Sequence, residues 1–316
     1  MLSTASPLRG AAALSLATAA LTFLLVVLGN LVRNTDSGLS YLSWPLYNGR
    51  LIPDREFHVL MEFSHRAVAG ALSVLLLVLA VEVFRRREAR ARVGTLTAAA
   101  LGLLAVQILL GALTVWKLLA PAVVTSHLAT AVLLFATVVA IHVRARWGSE
   151  PRPAGALAGQ PRGLRGTMAF AAFAVYLQVI LGGLVSTQHA GLAAPDFPKL
   201  NGEWFPPMVG LVAVQAVHRF GAYALTLILL LVAWRAHGSP QREVRAGARL
   251  AVALVLVQVV LGALNVLWRI PAWLSALHLA NAEAILATCV VTALRAAPAA
   301  ASEPVRGHAS RVAVAR

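Results

Sequence analysis

The sequence predicts an all-α membrane protein: eight transmembrane helices forming two tandem-repeat four-helix bundles, with the N- and C-termini both cytoplasmic. Three observations carry this. Of 316 residues, 59% are apolar and only 12% charged, with a mean hydropathy of +0.77, a composition that excludes a soluble globular protein. Eight apolar runs are each long enough to cross a hydrocarbon core of about 30 Å. Motifs in the first half of the chain return in the second half at an offset of 153 residues, as a tandem duplication produces.

The runs cover about 11–32, 62–83, 95–116, 123–143, 167–187, 211–234, 249–267 and 273–294. The first, preceded by Arg9, is long for the apolar region of a signal peptide, and Val32-Arg33-Asn34 is no small-residue cleavage site, so it is expected to stay in the mature protein. Counting Lys and Arg by side gives 19 on the side of the N-terminus, the even-to-odd connections and the tail, against 6 on the other. The richer side is the cytoplasmic one. A net charge of +15 is therefore read as topology, and nucleic acid is excluded as a partner. The chain is expected to sit as a multi-pass protein in the cell membrane, with the long loops 33–61 and 188–210 on the periplasmic or outer side.

Four segments follow: an N-terminal bundle (1–148), a cytoplasmic linker rich in Pro, Gly and Arg (149–166), a C-terminal bundle (167–296) and a disordered cytoplasmic tail (297–316). The repeat aligns Gly29-Asn30-Leu31-Val32 with Gly182-Gly183-Leu184-Val185, and Trp44-Pro45-Leu46-Tyr47-Asn48-Gly49 with Phe197-Pro198-Lys199-Leu200-Asn201-Gly202. Further on, Gln107 to Leu113 aligns with Gln258 to Leu264 at an offset of 151. With an even number of helices each, the two bundles enter the membrane in the same sense. The loops, each with a Pro-bounded aromatic and an Asn-Gly turn signal, are expected to be ordered lids.

The chemistry is expected in the polar pentapeptide Glu62-Phe63-Ser64-His65-Arg66, whose Glu62, His65 and Arg66 share one helical face. Its counterpart, Gln215-Ala216-Val217-His218-Arg219, keeps the His-Arg pair and replaces the acid with an amide. Of nine histidines, four obey the repeat: His65 with His218, and His127 with His278. All four fall three to seven residues from the outer ends of their runs, at one depth. Paired histidines on neighbouring helices of a four-helix bundle suit the axial positions of a haem iron. No carboxylate cluster accompanies them, which argues against a di-iron site. The single cysteine, Cys289, allows neither an intramolecular disulfide nor a Cys-ligated cluster. Small residues after His65 and His218 leave room for a flat macrocycle, and Arg66 and Arg219 are placed either to pair with haem propionates or to snorkel to the interface. Glu62 can take or give a proton where Gln215 can only hydrogen-bond. The bland alternative is an interfacial carboxylate paired with Arg66.

Taken together, Gly29-x-Leu31-Val32-Arg33-x-Thr35-x-Ser37-Gly38-Leu39-Ser40, Trp44-Pro45, Gly49, Glu62-x-x-His65-Arg66, His127-Leu128, Gln215-x-x-His218-Arg219 and His278-Leu279 resemble the haem A synthase family, over about Leu24 to Leu294. The resemblance implies an oxidoreductase that converts the C8 methyl of haem O to the formyl group of haem A for terminal oxidases. It further implies that substrate haem sits between His65 and His127, and a cofactor haem b between His218 and His278. Implied partners are haem O, the lipid membrane, haem O synthase and terminal oxidase subunits, with a homo-oligomer left open. The chain departs from many bacterial members in one respect: where they carry a cysteine pair in the first outer loop it has Tyr41 and Tyr47, with Ala194 and Leu200 at the repeat positions. That removes a thiol-based electron relay. The rival reading is a two-haem b-type, quinol-linked electron carrier; a repeat-built transporter is disfavoured because broken helices are lacking.

Overall fold

The computed structural model describes residues 8–147 and 159–296. Within them lie eight helices long and apolar enough to cross a membrane: α1 (Arg9–Asn34), α2 (Phe57–Arg85), α3 (Arg87–Trp116), α4 (Pro121–Trp147), α5 (Leu164–Thr187), α6 (Gly210–His237), α7 (Arg242–Leu267) and α8 (Ala272–Arg295). A single turn of 3-10 helix, Ala190–Leu192, lies in the loop before α6. Residues 149–158 of the expected linker and the expected tail 297–316 lie outside the described residues.

Several helices begin well before their apolar runs. α2 starts at Phe57, α3 at Arg87 and α7 at Arg242, five to eight residues ahead of the hydropathy edges. Arg, Glu and Ala are strong helix formers, so the backbone stays helical after the side chains turn polar. α2 and α3 are consequently joined by Arg86 alone, whose Nε meets Glu82 one turn back at 2.8 Å. α5 starts three residues inside the expected linker, after Gly163, whose φ of 73° suits glycine. α4 opens on Pro121, whose missing N–H costs nothing in a first helical turn.

The helices close into two rings. In the first, α1 packs on α2, α2 on α3, α3 on α4 and α4 back on α1; in the second, α5 through α8 repeat the cycle. The rings meet along α1 with α8, α4 with α5 and α4 with α8. α2 thus stands diagonally across from α4, and α6 across from α8. The expectation that the paired histidines lie on neighbouring helices is corrected: they lie on opposite corners. Short connections force successive helices to be antiparallel neighbours, so helices of like direction fall on the diagonals.

Lipid gives helices no hydrophobic reason to associate, and the contacts are made with small residues. Ala11, Ala89, Ala100, Ala171 and Ala236 are fully buried. Several buried hydroxyls are satisfied within their own helix, as where Thr18 Oγ1 donates to Leu14 O at 2.7 Å and Thr22 Oγ1 to Thr18 O at 2.7 Å.

The two outer loops share one construction. Trp44-Pro45 and Phe197-Pro198 are both cis. Each is followed by an Asn-Gly pair in left-handed conformation, Asn48 (φ 48°) with Gly49 (83°) and Asn201 (φ 55°) with Gly202 (82°), the geometry of a tight hairpin turn that glycine makes accessible. Tyr47 and Arg50 exchange backbone bonds of 2.9 and 3.0 Å across the first turn, and Leu200 and Glu203 bonds of 2.8 and 3.2 Å across the second.

Candidate functional site

The four repeat-matched histidines stand six to eight residues in from the helix starts at Phe57, Pro121, Gly210 and Ala272, about 9–12 Å along the helix at ~1.5 Å per residue. At this level the core stops. No fully buried residue lies between Val26 and Val32 on α1, Glu62 and Leu72 on α2, Leu104 and Ala112 on α3, or Thr125 and Val132 on α4. The second ring repeats the gap between Arg219 and Leu225 on α6, beyond Val255 on α7, and between Ala276 and Ala282 on α8. The imidazoles have protein around them on nearly every side yet remain only half-buried. They therefore line internal clefts. Apart from the histidines, an open apolar groove lies on the outward face between α6 and α7, lined by Tyr223, Thr226, Leu227, Leu256, Val259 and Val260.

Each ring nestles against a glycine of the preceding helix. A Cβ at Gly29, Gly111, Gly182 or Gly262 would stand 3.1, 3.3, 3.1 or 3.1 Å from Cε1 of His65, His127, His218 or His278 respectively. All four contacts are tighter than ordinary packing, so the glycines fix where the imidazoles sit. His65 and His127 are near enough for their charges to interact, as are His218 and His278. Every imidazole keeps a ring nitrogen without a partner among the described residues. His65 and His278 make no ring hydrogen bond, His127 uses only Nε2 (Gln107 Nε2 at 3.3 Å) and His218 only Nδ1 (Gln178 Nε2 at 3.1 Å). Gln258 donates instead to the His278 carbonyl at 3.0 Å and accepts from Asn281 at 2.7 Å. No group of three or more His, Cys, Asp or Glu able to hold a bare metal ion occurs among the described residues. Two imidazoles from diagonally opposed helices, each with a ring nitrogen unpartnered among the described residues, instead suit an iron whose other ligands come from a macrocycle.

Gly182→Ala tests this fit. Alanine in place of a helical glycine stabilises a helix by about 1 kcal/mol, while the added methyl displaces His218 by a few tenths of an ångström. The expected outcome is an unchanged or raised melting temperature together with at least a roughly tenfold loss of haem affinity in the second ring, read by absorbance titration.

Glu62 and Gln215 are both buried, at 4% and 2% exposure, and both reach the outer loop. Glu62 Oε2 accepts the Tyr41 N–H at 3.2 Å, and Oε1 pairs with Arg66. Gln215 Oε1 accepts the Ala194 N–H at 2.6 Å, and its Nε2 donates to Gly191 O at 2.7 Å. Tyr41 and Ala194 are repeat positions, so the acid and the amide hold the same backbone point. Arg66 donates to Ser43 O at 3.1 Å, and Arg219 to the carbonyls of Asp196, Lys199 and Ala194, all at 2.8 Å. The arginines, read from sequence as partners of propionates or of the interface, thus clamp each outer loop down onto its bundle.

In the second loop the clamp continues through Asp196, whose carboxylate accepts the N–H groups of Asn201 at 2.6 Å and Gly202 at 2.8 Å. Partial burial opposes ionisation, but these amides outweigh it and hold the carboxyl below the ordinary carboxylate range. A carboxylate with a depressed folded-state value stabilises above its unfolded value of about 3.9 and loses that contribution as pH falls through the folded one. Proteolysis of loop 188–209 is therefore expected to stay slow down to about pH 4 and to accelerate below it. The first loop, with Ser43 at the matching place (Asn48 N–H to Ser43 Oγ, 2.8 Å), lacks that acid step.

Sequence reasoning passed over the four glycines, Gln107, Gln178 and Gln258 as site residues, although all but Gln178 lie in the repeat motifs. It also passed over Glu283, wholly buried on α8 with both carboxyl oxygens unpartnered among the described residues. Its repeat position, Val132, is equally buried, which puts Glu283 in the packed core below the cleft.

A family model described as "Cytochrome oxidase assembly protein" (COX15-CtaA) matches residues 12–58 and 54–290. Among curated relatives, the Heme A synthase of Symbiobacterium thermophilum is 32% identical over 257 residues, covering 80% of this chain and 84% of that protein. The Heme A synthase of Shouchella clausii is 31% identical over 71% of this chain and 75% of its own. That of Methylobacterium radiotolerans is 27% identical over 87% of both.

Proposed function

Since the chain belongs to the COX15-CtaA family of cytochrome oxidase assembly proteins, and its relatives are haem A synthases along most of their length, we propose that it is a haem A synthase. Its reaction is oxidation of the C8 methyl group of haem O to the formyl group of haem A. One observation carries the reading: two sites of like construction, each with a repeat-matched pair of histidines, which differ in carrying a buried carboxylate, Glu62, in the first where the second has the amide Gln215. The first ring receives haem O between His65 and His127, and the second holds a haem b between His218 and His278. When bound, haem b supplies a one-electron carrier beside the reacting site. Turning a methyl into a formyl group takes hydrogens from carbon, and Glu62 is the base positioned to accept a proton there. Gln215, unable to take one, positions the loop over the cofactor. Arg66 and Arg219 hold the two loops closed, limiting water at the haem edges, and offer their remaining N–H groups to propionates.

The repeat supports reading the halves as a tandem duplication: cis Pro, Asn-Gly turn, glycine-histidine contact and arginine clamp recur at matched positions. The charge count supports cytoplasmic termini and outer-side loops in the plasma membrane. Haem O synthase and terminal oxidase subunits, which would supply the substrate and consume the product, are the expected protein partners, and self-association is compatible with the free lipid faces of α2, α3, α6 and α7.

Organic extraction of the purified protein tests the assignment. A synthase expressed with a haem O source yields haem O or haem A together with haem B. Haem B alone, filling both sites, would overturn the assignment in favour of a two-haem electron carrier, the reading that the likeness of the two clefts otherwise supports.

A further inference from the structure

Each outer loop leaves an apolar pair uncovered at the same repeat position. Directly after the turn closed by Tyr47 and Arg50, the first loop carries Leu51 and Ile52, 77% and 78% exposed. Directly after the turn closed by Leu200 and Glu203, the second carries Trp204 and Phe205, 57% and 85% exposed. A proline follows both pairs, Pro53 and Pro206. Single exposed apolar residues are ordinary, but a contiguous pair placed twice on the outside of a fold marks a contact surface.

Its place in the fold says what covers it. α2 packs on α1 and α3, and α6 on α5 and α7, whereas the seam between the rings is built from α1, α4, α5 and α8. α2 and α6 therefore stand on the perimeter, and the two pairs lead straight into them. Exposed apolar surface runs on without a break in kind, from Ile52 to Phe57 and Leu60 on α2, and from Phe205 through Met208 and Val209 to Leu211 on α6. These are the outward sides of spanning helices, which hydrocarbon covers. Three further tryptophans, Trp116, Trp268 and Trp273, each more than half exposed, lie at this same end of α3, α7 and α8. Tryptophan concentrates at the boundary between membrane and water. Beside Trp204 the Lys199 ammonium stands 5.9 Å from the ring, as a lysine does that keeps its charge at headgroup level above a ring set lower.

We propose that Leu51-Ile52 and Trp204-Phe205 are membrane anchors, seated at the boundary between headgroups and acyl chains at this end of the helices. Each outer loop is then held from two sides, by Arg66 or Arg219 from within and by lipid from without. Such a lid opens only when its tip leaves the lipid. The partner is the lipid surface itself and not an anionic headgroup, because the tips carry both signs of charge: Arg50 is paired with Asp54 at 3.5 Å, and Glu203 adjoins Trp204 opposite Lys199.

The test places an environment-sensitive fluorophore on Ile52→Cys and on Phe205→Cys in the full-length protein, reconstituted into phosphatidylcholine nanodiscs. The chain's one native cysteine, Cys289, is buried, and the unsubstituted protein gives its labelling background. Asp36→Cys, whose native side chain is 90% exposed, serves as the water-facing reference. The expected result at 52 and 205 is emission shifted to the blue of that at 36. Quenching there is expected to be stronger by lipid spin-labelled near the headgroup than by lipid labelled at the chain end, with shelter from aqueous iodide. Adding phosphatidylglycerol is expected to change none of this. Iodide quenching as strong as at 36, with no quenching by either lipid, would overturn the proposal for that loop and leave its pair as a docking surface for a water-borne partner. A second measurement needs no label. Trp204→Ser combined with Phe205→Ser is expected to keep the melting temperature and to raise the rate of proteolytic nicking in loop 188–209 several-fold in nanodiscs; an unchanged rate would count equally against the anchor.

Discussion

Replacing Glu62 with glutamine is expected to slow haem A formation by about 10²-fold to 10⁴-fold, the range over which a positioned carboxylic acid contributes to proton transfer, while leaving the second-ring haem in place. The geometry makes this substitution unusually clean. Gln215 shows how an amide sits at this position, accepting the loop N–H through Oε1, so a glutamine at 62 keeps the bond to Tyr41 and loses only charge and proton capacity. The ion pair with Arg66 is lost too, but Arg66 stays anchored through Ser43 O, so the loop remains closed. The measurement is haem A produced per chain in membranes supplied with haem O, alongside the spectrum of the purified variant. Normal haem A production would reduce Glu62 to a loop anchor, and the case for chemistry in the first ring would be gone.

Substituting His218 by alanine is expected to do the reverse in the spectrum and the same in the product. If His218 and His278 hold the cofactor as proposed, the variant should lose the permanent haem, from about one per chain to near none, because one of the two imidazoles that would hold it is absent. Turnover should fall by at least about 10²-fold through loss of the electron route, although Glu62 and its surroundings are intact. The same change at His65 should leave the permanent haem spectrum nearly unaltered while abolishing turnover. That contrast between two repeat-matched positions separates cofactor from substrate site; equal haem loss in both variants would contradict the division of labour.

Much of this architecture was legible in the sequence because the bilayer enforces it. Apolar runs of the required length mark the eight long helices of the described residues, and the repeat alone pairs His65 with His218 and His127 with His278. What escaped had local physical causes. Hydropathy misplaces helix starts such as Arg87 and Arg242, since arginine ends an apolar run without ending a helix. Ring closure is not legible, because periodicity within a helix says nothing about which helix stands opposite, so the sequence alone suggests neighbouring helices for histidine pairs that stand on diagonals. The arginines looked free to meet an anion, whereas their acceptors are backbone carbonyls, which leave no trace in side-chain identity. Glycines resting against the imidazoles were visible as motif residues, but a residue without a side chain announces closeness only once its neighbour is placed.

The diagonal placement of the histidines has a mechanical consequence. Four rods joined only along their edges form a frame that shears, because edge contacts fix the spacing of neighbours and not the angles between them. A ligand bound by opposite corners acts as a cross-strut and locks the square into one shape. With haem b held in the second ring, as proposed, such a strut would be permanent there, and through the seam of α1, α4, α5 and α8 it would give the first ring a stiff wall to lean on. With haem O bound in the first ring, as proposed, the strut there would be the substrate itself, so the ring that admits and releases a large flat molecule would be braced while chemistry proceeds and would slacken once the product leaves.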